Sequence, residues 1–465
     1  MHVLSADGLT FHFNVPVLIV GAGACGLTAA LAARELGVDA MVLERDARPS
    51  GSTSLSSGMI PAAVTRFQRA KGIDDSPEIF ANDIMAKNHG LADRRVVDAV
   101  TVESAPTIEW LADSHGAIFE VVEGFLYPGH SRMRMHAPPR RTGKELMDYL
   151  LQAVARHDID IVADARVDQL LARSDGTVMG VRIERPDGKT EGIGCEALIL
   201  ACSGFGGNRE MVRSYIPEMS NASYFGHAGN KGDAIAWGVE LGAACADMSS
   251  YQGHGSIAHP HAVLITWALM MEGGIQVDAN GERFSNEHQG YSEQAAKLLR
   301  QPGHFGWNIY DQRIHELGLQ FDDYRLAQSS GAIRRAESVE ELARITDIAP
   351  SALADTLKKC KSMATGVDRD PHGRNFLANQ SLKAPYFAVR VTGALLHTQG
   401  GLSIDTHGRV LRPDSTLLPN LLAGGGAARG LSGPHADGYL SGNGLLSATV
   451  LGRIAGRTAA ELVKG

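Results

Sequence analysis

Gly21, Gly23 and Gly26 stand at the spacing of a phosphate cradle. The first permits a tight turn after an apolar strand, and the second lets backbone N–H groups approach a pyrophosphate. The third lets the following helix pack close to that strand. Ala24 and Cys25 open the helix, whose N-terminus adds partial positive charge. About 20 residues further on, Glu44 ends a second apolar run, where an acid meets a ribose hydroxyl. Glycine turns alone are common. Strand, glycine turn, helix, second strand and terminal acid together imply a bound dinucleotide.

The elements that must position these residues are readable in order. Val17–Val20 is an apolar strand, and an Ala/Leu-rich helical stretch runs to Leu36. After Glu44 and Arg45, the segment 48–58 is dense in glycine and hydroxyl residues, including Ser52, Thr53, Ser57 and Gly58. It reads either as a surface loop or as a wrap around the cofactor phosphates. Helical patterns follow at 77–85, 94–115 and 143–157, then a β-meander over 159–185 that contains Val167. The meander leads into an apolar strand ending in Ala201-Cys-Ser203-Gly204, again a backbone suited to close approach by a cofactor. From about residue 248 to 397 the chain turns polar and aromatic. It has a strand-turn-strand at 276–284 and a helical block at 339–362, and reads as an inserted second domain. Short strands return at 401–405 and 410, followed by a glycine run containing Gly425. A helix from Asn443 to Leu462 carries few charges and is therefore expected to be buried.

The chain of 465 residues is long enough for two or three domains. A formal charge of −8 and the lack of basic blocks argue against nucleic acid as a partner. Five cysteines are scattered without metal-ligand or haem-attachment spacing, which fits a reduced compartment and no bound metal. No signal peptide pattern or apolar run of about 18 residues is present. The expectation is a cytoplasmic protein without a membrane partner.

Taken together, these features resemble the FAD-dependent fumarate reductase and ketosteroid dehydrogenase superfamily over nearly the whole chain. The matches are Gly21/Gly23/Gly26 with Glu44, the loop 52–58, the strand ending at 201–208, and Gly281-Glu-Arg-Phe-Ser-Asn-Glu287. His397-Thr-Gln-Gly-Gly401 and Tyr439-Leu-Ser-Gly-Asn-Gly-Leu-Leu446 complete the set. The resemblance implies an α/β fold: a Rossmann-like FAD-binding domain from residues 1–248 and 397–465, with an inserted α+β capping domain over 249–396. It implies non-covalent FAD, with His397 and Gly425 among its contacts. Ser441 and Gly442 open the last helix, and its start at Asn443, Gly444, Leu445 and Leu446 would face the flavin pyrimidine edge. It also implies formation or reduction of a C=C bond beside a carbonyl. That chemistry moves a hydride to or from the flavin and a proton at the neighbouring carbon, and needs a polarised carbonyl oxygen.

Within that resemblance, Arg283 stands where fumarate-reductase-like members carry their proton-delivering arginine, or is a structural ion-pair partner. His254 matches a histidine that contacts a substrate carboxylate, and Thr266 a neighbouring hydroxyl contact. Tyr439 replaces a carboxylate-clamping arginine, Leu396 a second substrate histidine, and Trp267 and Met270 an acid and a base of the proton relay. These apolar replacements disfavour a buried dicarboxylate. Tyr439-x-Ser441 instead resembles the Tyr-x-Ser of ketosteroid Δ4-dehydrogenases, where a phenol holds a ketone oxygen. Tyr291 or Tyr251 could take the proton. The cationic run Arg132, Arg134, Arg140, Arg141 either holds a distal carboxylate or is a solvated loop.

The reading is an FAD-dependent CH–CH dehydrogenase or oxidase that desaturates a cyclic ketone, steroid-like or a small ring such as an oxocyclohexane carboxylate. Oxygen, a quinone or a protein would accept the electrons. Reduction of an activated alkene and a non-catalytic flavin electron-transfer subunit are the alternatives.

Overall fold

A computed structural model describes residues 2–11, 13–377 and 381–465. Its first sheet is built on the strand Thr190–Leu200. That strand lies parallel to Phe13–Val20, which in turn pairs with Ala40–Leu43 and then Asp160–Val162. Along Val17–Val20 successive side chains enter two different core clusters, Val17 and Ile19 on one face, Leu18 and Val20 on the other. A strand covered on both faces needs a continuous apolar run, and this one has it. On its other edge Thr190–Leu200 pairs first with the antiparallel Val178–Glu184 and then, at Leu198–Leu200, with the parallel strand Leu417–Ala423. Val20, Leu43, Leu200 and Ala423 therefore end level with one another, and the crevice beyond parallel strand ends is where such sheets bind ligands.

Two helices cover one face of this sheet, Ala24–Glu35 and Asn443–Lys464. Their approach depends on the absence of side chains. A Cβ at Gly26 would sit 1.9 Å from the Gly21 carbonyl oxygen, and one at Gly456 would sit 2.1 Å from that of Ala29. The two ends of the chain are thereby locked together, and both helices begin at the same crevice.

The second sheet is organised on Tyr386–Thr398, flanked by the antiparallel strands Tyr251–Ala258 and Gly306–Asp311. Ser223–Tyr224 joins it upstream of residue 249, and Tyr386–Thr398 runs past residue 396. That long strand delivers Leu396, His397 and Thr398 from the second sheet to the crevice of the first.

Three local readings change. The segment at 159–163 pairs with Ala40–Leu43 instead of joining the meander. At 276–284 only Ile275–Val277 is a strand. The Asp278 carboxylate accepts the N–H groups of Asn280 and Glu282, tightening the turn so that the return is a single Val277–Arg283 bridge. The block 339–362 is two helices, Val339–Thr346 and Pro350–Ala364. Asp347 in a left-handed conformation ends the first, and Pro350 starts the second. Among the described residues no helix is long and apolar enough to cross a membrane.

Candidate active site

One cavity runs from the crevice of the first sheet to the second sheet. On its cofactor side the wall contains Gly21, Gly23, Ala24, Cys25, Glu44, Arg45, Ser52, Thr53, Ser57, Val167, Ala201, Ser203 and Gly425. Glu44 is buried, and its two carboxylate oxygens accept the N–H groups of Ala22 and Asp46, each at 3.0 Å. Each oxygen keeps a further lone pair for a ribose hydroxyl. The Ser52 hydroxyl accepts from the His227 N–H at 3.0 Å and from Asn230 Nδ2 at 2.9 Å, which ties the glycine- and hydroxyl-rich loop to the wall. That loop is a wrap rather than a free surface turn.

Both helices begin at this cavity on glycines. Gly23 and Gly442 are the capping residues, neither supplies a side-chain cap, and neither first turn carries an acid. The Ala24 N–H is held by the Thr53 hydroxyl and the Gly444 N–H by that of Tyr439, and positive helix ends without acids suit a pyrophosphate at one and a negatively charged reduced ring at the other. Gly26, Gly58, Gly204, Asn443 and Leu446 pack behind the wall, not in it. Gly26 serves helix–strand contact, and Leu446 is core.

The other side of the cavity is aromatic. Tyr439, Tyr291, His254, Trp267, Thr266, Leu396, His397, Ser441, Gly442, Gly444 and Leu445 all line it. The Tyr439 hydroxyl accepts the Gly444 N–H at 3.3 Å, at the start of the last helix, and shares a hydrogen bond with Tyr291. Tyr291 also bonds to Ser441, and its ring meets that of Tyr439 edge-on at 6.1 Å. Burial raises both phenols above their ordinary values, so both are neutral donors. His254 stacks on Tyr291 at 4.8 Å, and burial lowers its pKa to about 3. Its Nδ1 accepts the Ser256 N–H at 3.2 Å, leaving the proton of the neutral ring on Nε2. The Trp267 indole N–H donates to the Glu287 carbonyl at 3.0 Å, so the indole contributes an apolar face.

Arg283 does not join this group. It lies outside the cavity wall, its side chain 5% exposed, bonded to Glu287 at 2.6 Å and to Asp370 at 2.6 Å. Burial alone would lower its pKa, but the hydrogen bond and charge of Glu287, then Asp370, raise it. Burial would raise the Glu287 carboxyl, yet Arg374 and then Arg283 hold it down at about 2. Of the two readings for Arg283, the geometry fits the ion-pair partner. Tyr251 is also outside the wall. Tyr127 and Phe321, which do line the cavity, carry no motif. The only signal for Tyr127 was an aromatic cluster, Phe125-Leu-Tyr127, in a loop without strand or helix periodicity.

Residues 16–445 match the FAD binding domain family. The chain belongs to this family. A probable fumarate reductase of Shewanella frigidimarina (strain NCIMB 400) is 29% identical over 451 residues, covering 96% of this chain and 74% of that protein. The open conformation of a flavocytochrome c3 fumarate reductase superposes with a TM-score of 0.82 at 28% identity, over 98% of this chain and 79% of that one. The 3-ketosteroid-Δ4-(5α)-dehydrogenase of Rhodococcus jostii RHA1, solved with 4-androstene-3,17-dione, gives a TM-score of 0.79 at 24% identity over 99% and 100% of the two chains, a likeness of fold. This flavoprotein is an FAD-dependent oxidoreductase similar to fumarate reductases, and the non-catalytic alternative loses its footing. The glycine cradle, Glu44 and the two glycine-capped helix ends fit FAD.

The buried histidines of the flavoprotein set its acid sensitivity. Burial lowers His130 and His136 to about 4 and His254 to about 3, from 6.5. The unfolded chain binds these protons first, so their contribution is complete above the ordinary value and is lost as pH falls from there toward the folded values. Each ring then removes about 1.4 kcal/mol per pH unit. Denaturant unfolding between about pH 7.5 and pH 5 is expected to show falling stability with net proton uptake. A flat profile would mean that these rings charge in place.

Proposed function

We propose that this flavoprotein desaturates a cyclic ketone beside its carbonyl. The observation that carries this reading is the environment of Tyr439. Its hydroxyl is held by the Gly444 N–H and by Tyr291, and the groups that act on it are all neutral. A neutral phenol fixed by a backbone N–H is a good donor to a ketone oxygen that gains enolate character. It is a poor clamp for a carboxylate, and so is the neutral His254 beside it.

The hydride acceptor is the chemistry that bound FAD supplies. The protein's own part is to hold the ketone oxygen on Tyr439 and to lead away the proton from the neighbouring carbon. Tyr291 and Ser441 form a hydroxyl chain at that position. Because burial holds Tyr291 protonated, it takes a proton only while passing its own to Ser441, whose hydroxyl proton leaves in turn to water in the cavity. The balance is one C–H bond broken as a hydride, the adjacent C–H broken as a proton, and one C=C bond formed. Oxygen, a quinone or another protein accepts the electron pair at the end of the cycle.

The second reading runs the same bond change in reverse, as reduction of an activated alkene. It is supported by the relative named a probable fumarate reductase. Anaerobic mixing separates the two. The oxidised yellow protein is expected to bleach with cyclic ketones. If ketones leave the flavin oxidised while enoates rapidly reoxidise the reduced protein, the reductase reading replaces the proposal.

A further inference from the structure

We propose that Arg141 is an anion subsite in the same cavity, holding a carboxylate that the substrate carries away from its ketone. This rests on the ketone reading above and narrows its substrate class to cyclic oxo acids with one negative charge. Arg141 lines the cavity together with Tyr439 and Tyr291. Its Nη1 is buried and has no hydrogen-bond partner among the described residues. A buried donor without an acceptor is costly, and native proteins pair most such groups. The guanidinium rests on the Phe321 ring at 5.3 Å, an arrangement that orients its planar fork. The backbone of Arg141 is left-handed, with φ at +53°, in a turn closed by its N–H to the Pro138 carbonyl at 2.8 Å. Non-glycine residues held that way cluster at ligand clamps.

The other cations of the wall are engaged elsewhere. Arg45 bonds to the Gly229 carbonyl, and Arg166 pairs with Glu184 at 2.8 Å. Among the acids of the wall, Asp322 is engaged elsewhere, paired with Arg325. Tyr127 stands in the same wall as both Arg141 and Tyr291. A flat ring lying along Tyr127 would have its ketone met by a phenol and its carboxylate by a guanidinium, the geometry Arg recognises best.

The test uses the FAD-loaded enzyme with Arg141→Gln and Arg141→Lys. Its probes are an oxocyclohexane carboxylate, cyclohexanone, and unreactive cyclohexane carboxylate followed by the shift in flavin absorbance. Arg141→Gln is expected to weaken cyclohexane carboxylate binding and raise KM for the carboxylated ketone by about 10- to 100-fold, with kcat within about 3-fold and cyclohexanone unchanged. Arg141→Lys should recover part of the loss. Equal effects on charged and neutral ketones, or none on either, would overturn the subsite while leaving the ketone reading standing. Arg141-dependent binding of cyclohexane carboxylate without oxidation of either ketone would do the reverse.

Discussion

Tyr439→Phe lowers turnover by about 100-fold or more while FAD stays bound, the loss expected when one preorganised donor to a developing oxyanion is removed. The ring itself is held by neighbours that the substitution leaves in place, Tyr291 at 6.1 Å and His397 at 5.8 Å between ring centroids. Shape is therefore kept, and only the hydroxyl that meets Gly444 N–H is lost. The Gly444 N–H loses its acceptor at the same time, so the site becomes poorer in partners without gaining room. The cost corresponds to about 2.7–4 kcal/mol of transition-state stabilisation. Anaerobic stopped-flow reduction of the flavin by a ketone substrate isolates this step from reoxidation. A rate within a few-fold of the parent enzyme would remove Tyr439 from the chemistry and return the ketone oxygen to another donor.

The cofactor half of the site was legible in the sequence because it is built from local features. Strand, glycine turn, helix and terminal acid are contiguous, and the glycine spacing states a close approach that the structure then displays at Gly26. The start of the last helix at the cavity was legible for the same reason, through the glycines that open it. The substrate half depends on contacts between distant segments. Nothing around Gly281–Glu287 announces Asp370, 87 residues beyond Arg283, yet that carboxylate decides where the guanidinium is spent. Tyr291 follows the same motif by only a few residues and faces the cavity, because a helix starts at Tyr291 just after Gly290 and carries the ring inward. Phe321 and Tyr127 come from two further loops, and no pattern in either loop implies that they meet in one wall. Likewise the capping sheet borrows Ser223–Tyr224 from a region that reads as part of the first domain, since a two-residue strand leaves no periodicity to detect.

Arg283→Gln tests whether that arginine is structural or chemical, and the two roles predict opposite losses. In the structure Arg283 closes a buried network with Glu287, Asp370 and Arg374. Arg374 also bonds to the Gly274 carbonyl at 2.8 Å and the Met270 carbonyl at 3.1 Å, while Glu287 accepts the Gln276 N–H at 3.1 Å. The network thus props the segment that carries Trp267 into the cavity, and Arg283 acts through it as a positioning residue. Removing one member of such a cluster leaves Asp370 and part of Glu287 buried without a counter-charge, a loss of about 3–5 kcal/mol of stability. Replacing it by lysine keeps the charge but not the forked pairing to two carboxylates, so Arg283→Lys should recover only part of that loss. Well below its lowered unfolding midpoint, the FAD-loaded Arg283→Gln enzyme is expected to retain turnover within about 10-fold, whereas loss of a proton-transfer group costs about 100- to 10,000-fold. Denaturant unfolding and single-turnover flavin reduction on the same preparation give both numbers. Unchanged stability with turnover down by the larger factor would restore Arg283 to the reaction and displace the Tyr291–Ser441 hydroxyl chain as the proton path.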